Sequence, residues 1–381
     1  MIRVAVVGIG KMGLSHLAML RAHPEVEVAA VCDSAKYILD VLEKYTGLRT
    51  YTDYELMLDE ASLDAVIIAT PTGTHFKMVE QAIRRRLHVF CEKPLTLNPY
   101  DSWALVALSK EYGVVSQVGY HNRFVAAFGE AKNLLDFEAI GRPTHILAES
   151  YGPVVLQAKG ATWRHRRESG GGCLYDYAAH TIDLISWYFG PPVSVAGTFC
   201  GHIFSENTED EVYSTLHFEG GKSAQLSVNW SDESYRKMTT KITIWGTEGR
   251  IAVDRQECQI YLRETAKVPE GYEPGWNVRY TTDLTGPVWF YLRGEEYSAE
   301  LDQFVRSAAA GLGLSETGHQ NSFASSAVAD SVIDMLIRDA DGSQTDPNLS
   351  LSGPLAMDGS HPRRKWPMGK LSRRSADNRG N

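Results

Sequence analysis

The sequence has little of what marks a secreted, membrane-spanning or nucleic-acid-binding chain. Its five cysteines, Cys32, Cys91, Cys173, Cys200 and Cys258, are odd in number and widely spaced, and no CxxC occurs. Neither a disulfide framework nor a thiolate zinc knuckle is expected from that spacing, and a reducing cytoplasm is the expected compartment. No apolar run approaches the ~20 residues that cross a bilayer. The opening MIRVAVVGIGKMG lacks the order of a signal peptide: one Arg, then a short apolar run broken by glycines. No internal repeat is visible. Basic residues are outnumbered, with 38 Lys and Arg against 47 Asp and Glu and a net charge of −9, which argues against a general nucleic-acid binder. The basic charge is also concentrated. Residues 361–381 hold seven Lys and Arg against Asp377 alone, a net of +6, which leaves −15 on the other 360 residues.

What is present is the material of a large folded enzyme-sized chain. At roughly 150 residues per domain, 381 residues suggest two or three domains. A composition 43% hydrophobic, 22% charged and 10% aromatic excludes a disordered chain, a collagen repeat and a coiled coil. Over the first 120 residues, short apolar runs (Ile2–Val7, Val26–Cys32, Leu63–Ala69, His88–Cys91, Val114–Gly119) alternate with helical patterns (Met12–Ala22, Ala35–Tyr45, Asp53–Leu58, His75–Arg86, Tyr100–Tyr112). Strands apolar throughout, each followed by a helix, predict parallel βαβ units covered on both faces. After about residue 122 the strands lengthen and alternate, from Pro143–Ser150 to Gln259–Arg263, with turns such as Glu219-Gly220-Gly221; helices interrupt them at Phe128–Phe137, Tyr177–Tyr188, Ser298–Ala310 and Ser322–Asp339. The fold class expected is therefore α/β: a Rossmann-type doubly wound parallel sheet in residues 1–122, then an α+β unit with a large, mostly antiparallel sheet in 123–340. Residues 341–381, rich in Gly, Ser, Pro, Asn and Arg, read as a flexible basic tail.

Gly8-Ile9-Gly10-Lys11-Met12-Gly13 matches G-x-G-x-x-G between a strand and a helix, and Asp33 ends the second strand 20 residues beyond Gly13. Gly8 would permit the tight turn, Gly10 the approach of backbone to a pyrophosphate, and Gly13 close packing of helix on strand. The helix N-terminus offers free N–H groups to the phosphates. Asp33 would take the adenosine ribose hydroxyls and repel a 2′-phosphate, favouring NAD, with NADP not excluded because Lys36 is close; the alternative is a plain turn residue. Thr70, Pro71 and Thr72 follow a strand at the edge where a cofactor passes, and His75 either shares that surface or only begins a helix. Glu92-Lys93-Pro94 places Lys93 at a strand end, where ligands of open α/β sheets bind. In the run Ser169 to His180, three glycines let a loop approach something closely, and Asp176 and His180 stand four apart on one helix face, a structural pair or an active one.

These segments together resemble the Gfo/Idh/MocA oxidoreductases, the family of glucose–fructose oxidoreductase and inositol 2-dehydrogenase, over roughly residues 1–340. The resemblance rests on GIGKMG, ATPTGTH, CEKP and the Trp163-Arg164…GGG…DxxxH stretch. It implies a catalytic group of Lys93, Asp176 and His180, and a segment Gly119-Tyr120-His121-Asn122-Arg123-Phe124 near nicotinamide and substrate. Ala178 departs from the family's frequent D-x-G-x-H. The resulting expectation is a hydride-transferring enzyme using NAD(P), acting on a secondary alcohol or ketone of a sugar, sugar-nucleotide or cyclic polyol. His180 would carry the proton, Lys93 would stabilise the oxyanion, and Asp176 would orient the pair. Cofactor contacts are expected from Gly8, Gly10, Lys11, Met12, Gly13, Asp33, Thr70, Pro71, Thr72, His75, Glu92 and Lys93. Substrate contacts are expected from Lys93, Tyr120, Asn122, Arg123, Trp163, Arg164, Tyr175, Asp176 and His180. The aromatics Tyr120, Tyr151, Trp163, Tyr175 and Tyr177 suit sugar rings or line a core or subunit contact. No metal is required. The resemblance also implies a homo-oligomer, dimer or tetramer, packed through the second sheet. Two rivals share the fold: a ligand sensor that keeps the cofactor site without chemistry, and an enzyme using tightly held NAD for transient oxidation in glycoside cleavage or group transfer.

Overall fold

The computed structural model describes residues 1–156, 163–311 and 321–343. Six strands, β1 (Ile2–Val7), β2 (Val26–Cys32), β3 (Thr50–Tyr51), β4 (Ala65–Ile68), β5 (His88–Cys91) and β6 (Ser116–Val118), form a parallel sheet in the order β3-β2-β1-β4-β5-β6. Helices α1 (Lys11–Ala22), α2 (Lys36–Thr46), α3 (Tyr54–Glu60), α4 (His75–Arg84) and α5 (Pro99–Tyr112) are the crossovers. The apolar character of β1 follows from being covered twice: Ile2, Val4 and Val6 enter one buried cluster with Leu17 and Leu20 of α1, while Ala5 and Val7 enter another. Helix starts follow local chemistry. Asp53 caps α3 by accepting from Leu56 N at 2.9 Å, and Asn98 caps α5 by accepting from Tyr100 N at 3.1 Å. Strand order reverses between β1 and β4, and ligands of such sheets bind in the crevice at the carboxyl ends there.

The second sheet has eight strands: β7 (Pro143–Tyr151), β8 (Ser194–Gly201), β9 (Glu211–His217), β10 (Ser223–Asn229), β11 (Lys241–Gly246), β12 (Gly249–Val253), β13 (Glu257–Leu262) and β14 (Gly275–Tyr280), in the order β14-β13-β12-β11-β7-β10-β9-β8. Every pairing is antiparallel except β7 with β10. Helices α6 (Ala126–Asp136), α7 (Ala179–Phe189) and α10 (Phe323–Ala340) cover one face, and α8 (Thr281–Leu284) follows the last strand. Helix α9 (Glu295–Ala309) turns back: Leu301, Phe304, Val305 and Ala308 join the cluster of β1 and α1, so the first sheet is finished by a helix from the far end of the chain.

Two expectations are corrected in detail. The strand β14 was not read from the sequence because its apolar side chains, Trp276, Val278 and Tyr280, lie on the exposed side and give no core signal. The helix expected at Tyr177–Tyr188 starts earlier, as a π-helical turn over Leu174–Ala178 that runs into α7. Residues 344–381, most of the expected tail, lie outside the described residues. No described helix is long and apolar enough to cross a membrane.

Candidate active site

The glycine turn after β1 is built as its sequence requires. Gly8 has φ +85, and a Cβ there would lie 2.7 Å from the Ala69 carbonyl oxygen; a Cβ on Gly13 would lie 1.7 Å from the Gly8 oxygen. Gly10 differs: its φ is −72 and a Cβ would meet nothing within 4 Å. Protein packing explains Gly8 and Gly13 and leaves Gly10 with an open edge at a helix N-terminus, which fits a pyrophosphate approaching backbone. Lys11 is exposed and Met12 partly so beside it. Asp33 closes the same crevice. Its carboxylate accepts from Ile9 N at 2.5 Å and from Ala35 N at 2.7 Å, the bonds of a turn residue that ties the end of β2 to the glycine turn. Lys36 pairs with Asp40 at 2.9 Å.

Thr70, Pro71 and Thr72 line the next carboxyl edge. Thr70 bonds Thr74 through their hydroxyls at 2.8 Å, and Pro71 is exposed. His75 begins α4 and is fully buried, with Nε2 2.9 Å from the Thr70 oxygen and Nδ1 3.0 Å from the Pro94 oxygen. Burial lowers its pKa from the usual imidazole value, against the bonds to the Thr70, Pro94 and Leu95 carbonyls, which raise it. As a cofactor contact His75 is therefore corrected: it ties the 70–72 loop to the Lys93 loop. Glu92 meets His16 at 2.6 Å. Burial pushes the Glu92 carboxyl up, but the His16 bond and the charges of His16 and Lys93 outweigh it and the carboxyl lies low. Gly119 is needed beneath it, since a Cβ there would fall 2.9 Å from Glu92 Oε2.

Lys93 and Asp176 do meet. The ammonium donates to the Asp176 carbonyl at 2.7 Å, to its carboxylate at 3.2 Å and to the Tyr175 carbonyl at 3.5 Å. Arg164 Nε donates to the other Asp176 oxygen at 2.9 Å. Burial pushes Asp176 up, but Lys93 and Arg164 prevail and its pKa is lowered. The expected coupling of Asp176 to His180 is corrected: both carboxylate oxygens are spent on cations, and His180 Nδ1 is buried with no hydrogen-bond partner among the described residues. The backbone here forms a π turn over Leu174–Ala178 before α7 begins. The His180 ring instead packs edge-on against His121, centroids 4.8 Å apart, and against Tyr120 at 5.8 Å. Burial first, then Lys93 and Arg255, hold its pKa well below the ordinary value.

Other expected substrate contacts divide. Tyr120 is fully buried and supports His180 from below, and Tyr175 is buried while its carbonyl receives Lys93. Arg123 is corrected: it forms a buried bidentate pair with Asp183 at 2.8 and 2.6 Å, and its guanidinium lies over Trp187. Asn122 is buried, with Oδ1 accepting from Arg255 at 3.3 Å. Trp163 opens a short turn, and its side chain lies outside the described residues. The sequence did not single out His16, Arg255 or Glu209, and named His121 only as part of the 119–124 segment. Glu209 explains the glycine loop: its carboxylate caps Leu174 N at 3.1 Å, and a Cβ on Gly172 would lie 2.1 Å from it. Gly170, likewise, abuts Thr72. Among the described residues no group of three or more His, Cys, Asp or Glu could hold a metal.

A doubly wound sheet with an open glycine edge at its crevice, and a lysine at the adjoining strand end, defines a dinucleotide-binding oxidoreductase. Residues 2–120 match an oxidoreductase family model with an NAD-binding Rossmann fold, and residues 128–252 match the Gfo/Idh/MocA C-terminal domain. The chain is 30% identical over 258 residues to a scyllo-inositol 2-dehydrogenase (NAD(+)) of Bacillus subtilis (strain 168), covering 66% of this chain and 73% of that one. It is 27% identical over 272 residues to a 2,7-anhydro-N-acetylneuraminate hydratase of Escherichia coli (strain K12), covering 69% and 70%. A levoglucosan dehydrogenase in complex with NADH and levoglucosan superposes with a TM-score of 0.77 at 21% identity, covering 90% of this chain and 97% of that one. The chain belongs to the Gfo/Idh/MocA oxidoreductase family.

Proposed function

We propose that the protein oxidises a secondary alcohol of a sugar, sugar-nucleotide or cyclic polyol to the ketone, or runs the reverse, with NAD as the hydride partner. The observation that carries this is Lys93: a cation at the carboxyl end of β5, held by Asp176, whose other carboxylate oxygen is taken by Arg164, on the turn that leads to His180. NAD supplies the hydride acceptor when bound. Lys93 hydrogen-bonds the reacting oxygen and stabilises the negative charge that develops there. Its 3.5 Å bond to the Tyr175 carbonyl is the weakest of its three and the one a substrate oxygen replaces. His180, neutral in its buried seat, accepts the alcohol proton as the C–H hydride departs, and returns it in the reducing direction. Asp176 positions Lys93 rather than His180. Asp33, just past β2 and bonded to the glycine turn through Ile9 N, disfavours a 2′-phosphate and supports NAD over NADP. Residues 1–122 serve as the nucleotide unit and 123–340 as the substrate unit.

A second copy of the chain is the partner we infer. On the uncovered face of the second sheet, registers align His145, Trp245, Arg250, Tyr261 and Trp276 across five strands, with Trp276 58% and Tyr261 40% exposed. Such an aromatic stripe on a sheet face favours burial in a symmetric contact. Sizing by light scattering of Trp276→Glu against the unaltered protein tests it.

The activity is tested by absorbance at 340 nm with NAD and a panel of cyclic polyols, anhydrosugars and sugar-nucleotides. Net NADH formation supports the dehydrogenase. The hydratase relative supports keeping the transient-oxidation reading beside it: product formed without net absorbance change selects that reading. Binding of NAD and sugar without any conversion selects the sensor.

A further inference from the structure

Arg255 lies in the turn between β12 and β13, 75 residues beyond His180, yet its guanidinium ends beside that histidine's neighbours. It serves three elements at once. Nη1 is 3.2 Å from His121 Nε2 and 3.3 Å from Asn122 Oδ1, in the turn after β6, and Nη2 pairs with the buried Glu296 at the start of α9. A guanidinium has donors and no acceptor, so the imidazole nitrogen facing it must accept. His121 is therefore neutral with its proton on Nδ1. Its ring is clamped, stacked on Tyr297 at 4.5 Å and 19°, and edge-on to His180 at 4.8 Å and 71°.

We propose that Arg255 is a positioning residue for the reaction: it fixes the tautomer and plane of His121, and His121 in turn seats the His180 ring. The inference rests on the reading of His180 as the proton carrier. Among the described residues His180 has no hydrogen-bonded carboxylate to orient it, since Asp176 is bonded to Lys93 and Arg164 and Asp183 to Arg123. Ring packing does that work instead: His121 on one side and Tyr120 on another. The charges facing His180 also agree. Lys93 from the β5 end and Arg255 from the β12–β13 turn oppose its protonation, in addition to burial. On His121, burial, His180, Arg255, Lys93 and Arg293 act in the same direction.

The test uses 15N-histidine-labelled full-length protein with NADH bound, followed by long-range 1H–15N spectra from pH 5 to 9. His121→Gln and His180→Asn assign the two rings. The unaltered protein should show His121 as the Nδ1–H tautomer across the range. In Arg255→Met the Nε2–H form should appear, and the His180 midpoint should move up, because one of the cations opposing its protonation is gone. Arg255→Lys should keep most of the midpoint while losing the fixed tautomer, because one ammonium cannot serve three acceptors in a plane. If Arg255→Met does not fold because Glu296 is stranded, Arg255→Met/Glu296→Gln removes the orphaned carboxylate and carries the same expectation. An unchanged His121 tautomer and His180 midpoint in these variants would overturn the proposal. Turnover of a responding polyol separates it from the reading beneath: full activity in His180→Asn discards His180 as proton carrier, whereas normal activity and pH profile in Arg255→Met, with His180→Asn inactive, discard Arg255 alone.

Discussion

Alanine at Gly10 and alanine at Gly13 should act in opposite ways, although the two glycines belong to one motif. At Gly10 the backbone, φ −72 and ψ −169, suits any residue, and a methyl group would meet nothing within 4 Å. Gly10→Ala should therefore hold or raise stability by about 0.4–1 kcal/mol, through the smaller conformational freedom of the unfolded chain. If a pyrophosphate occupies that edge, the same methyl overpacks it at a cost of about 1–3 kcal/mol, which is roughly a 5- to 150-fold loss of affinity. At Gly13 the methyl would stand 1.7 Å from the Gly8 oxygen, so backbone must move before any ligand is considered. Gly13→Ala should lose about 3 kcal/mol or more of stability. Urea unfolding of the ligand-free variants, paired with NADH titrations by fluorescence, reads both quantities. A destabilised Gly10→Ala that binds NADH normally would refute the assignment of the open edge to the cofactor.

Asp330 is fully buried between α10 and α5, accepts from Ser102 Oγ at 2.6 Å, and is pushed by burial up to about 7. Its folded pKa exceeds the unfolded one of about 3.9, so its contribution is complete below pH 4 and is lost as pH rises to 7; Asp330→Asn should remove that slope and be a few kcal/mol more stable at pH 8 than the unaltered chain, by urea melts at pH 5 and 8. Arg123→Leu strands a buried carboxylate and should cost about 3–5 kcal/mol, whereas Arg123→Leu/Asp183→Leu should recover most of it. Asp33→Ala should weaken NAD binding more than NADP binding; equal losses in calorimetric titrations would leave Asp33 with no selective role.

The parallel sheet was legible because β1, β2 and β5 are largely apolar, with Arg3, Glu27 and His88 only near their starts and fully buried residues at their carboxyl ends, and their limits match the sequence reading to the residue. Gly8 and Gly13 were legible for the same reason any close approach is: the spacing demands it. The site was legible only as far as local sequence reaches. Lys93 and Asp176 could be named from their motifs, and they meet. The Asp176–His180 couple could not be judged from spacing alone, because the cations that take the Asp176 carboxylate, Lys93 and Arg164, come from other parts of the chain. Arg123 sits in the family-like segment yet is consumed by Asp183, 60 residues on. Arg255 and Glu209 come from turns whose acidic and basic neighbours, DRQE and NTED, read as solvated surface; only the sheet's topology brings them under the site.

The most direct test of the account is single-turnover NADH formation by Lys93→Ala, at saturating NAD and a polyol or sugar that the unaltered enzyme oxidises. Removal of the cation facing the developing oxyanion should slow hydride transfer by about 10²–10³-fold, with the NAD dissociation constant nearly unchanged. Hydride transfer at the unaltered rate in Lys93→Ala would contradict it, and with it the active site assigned to the β5 edge.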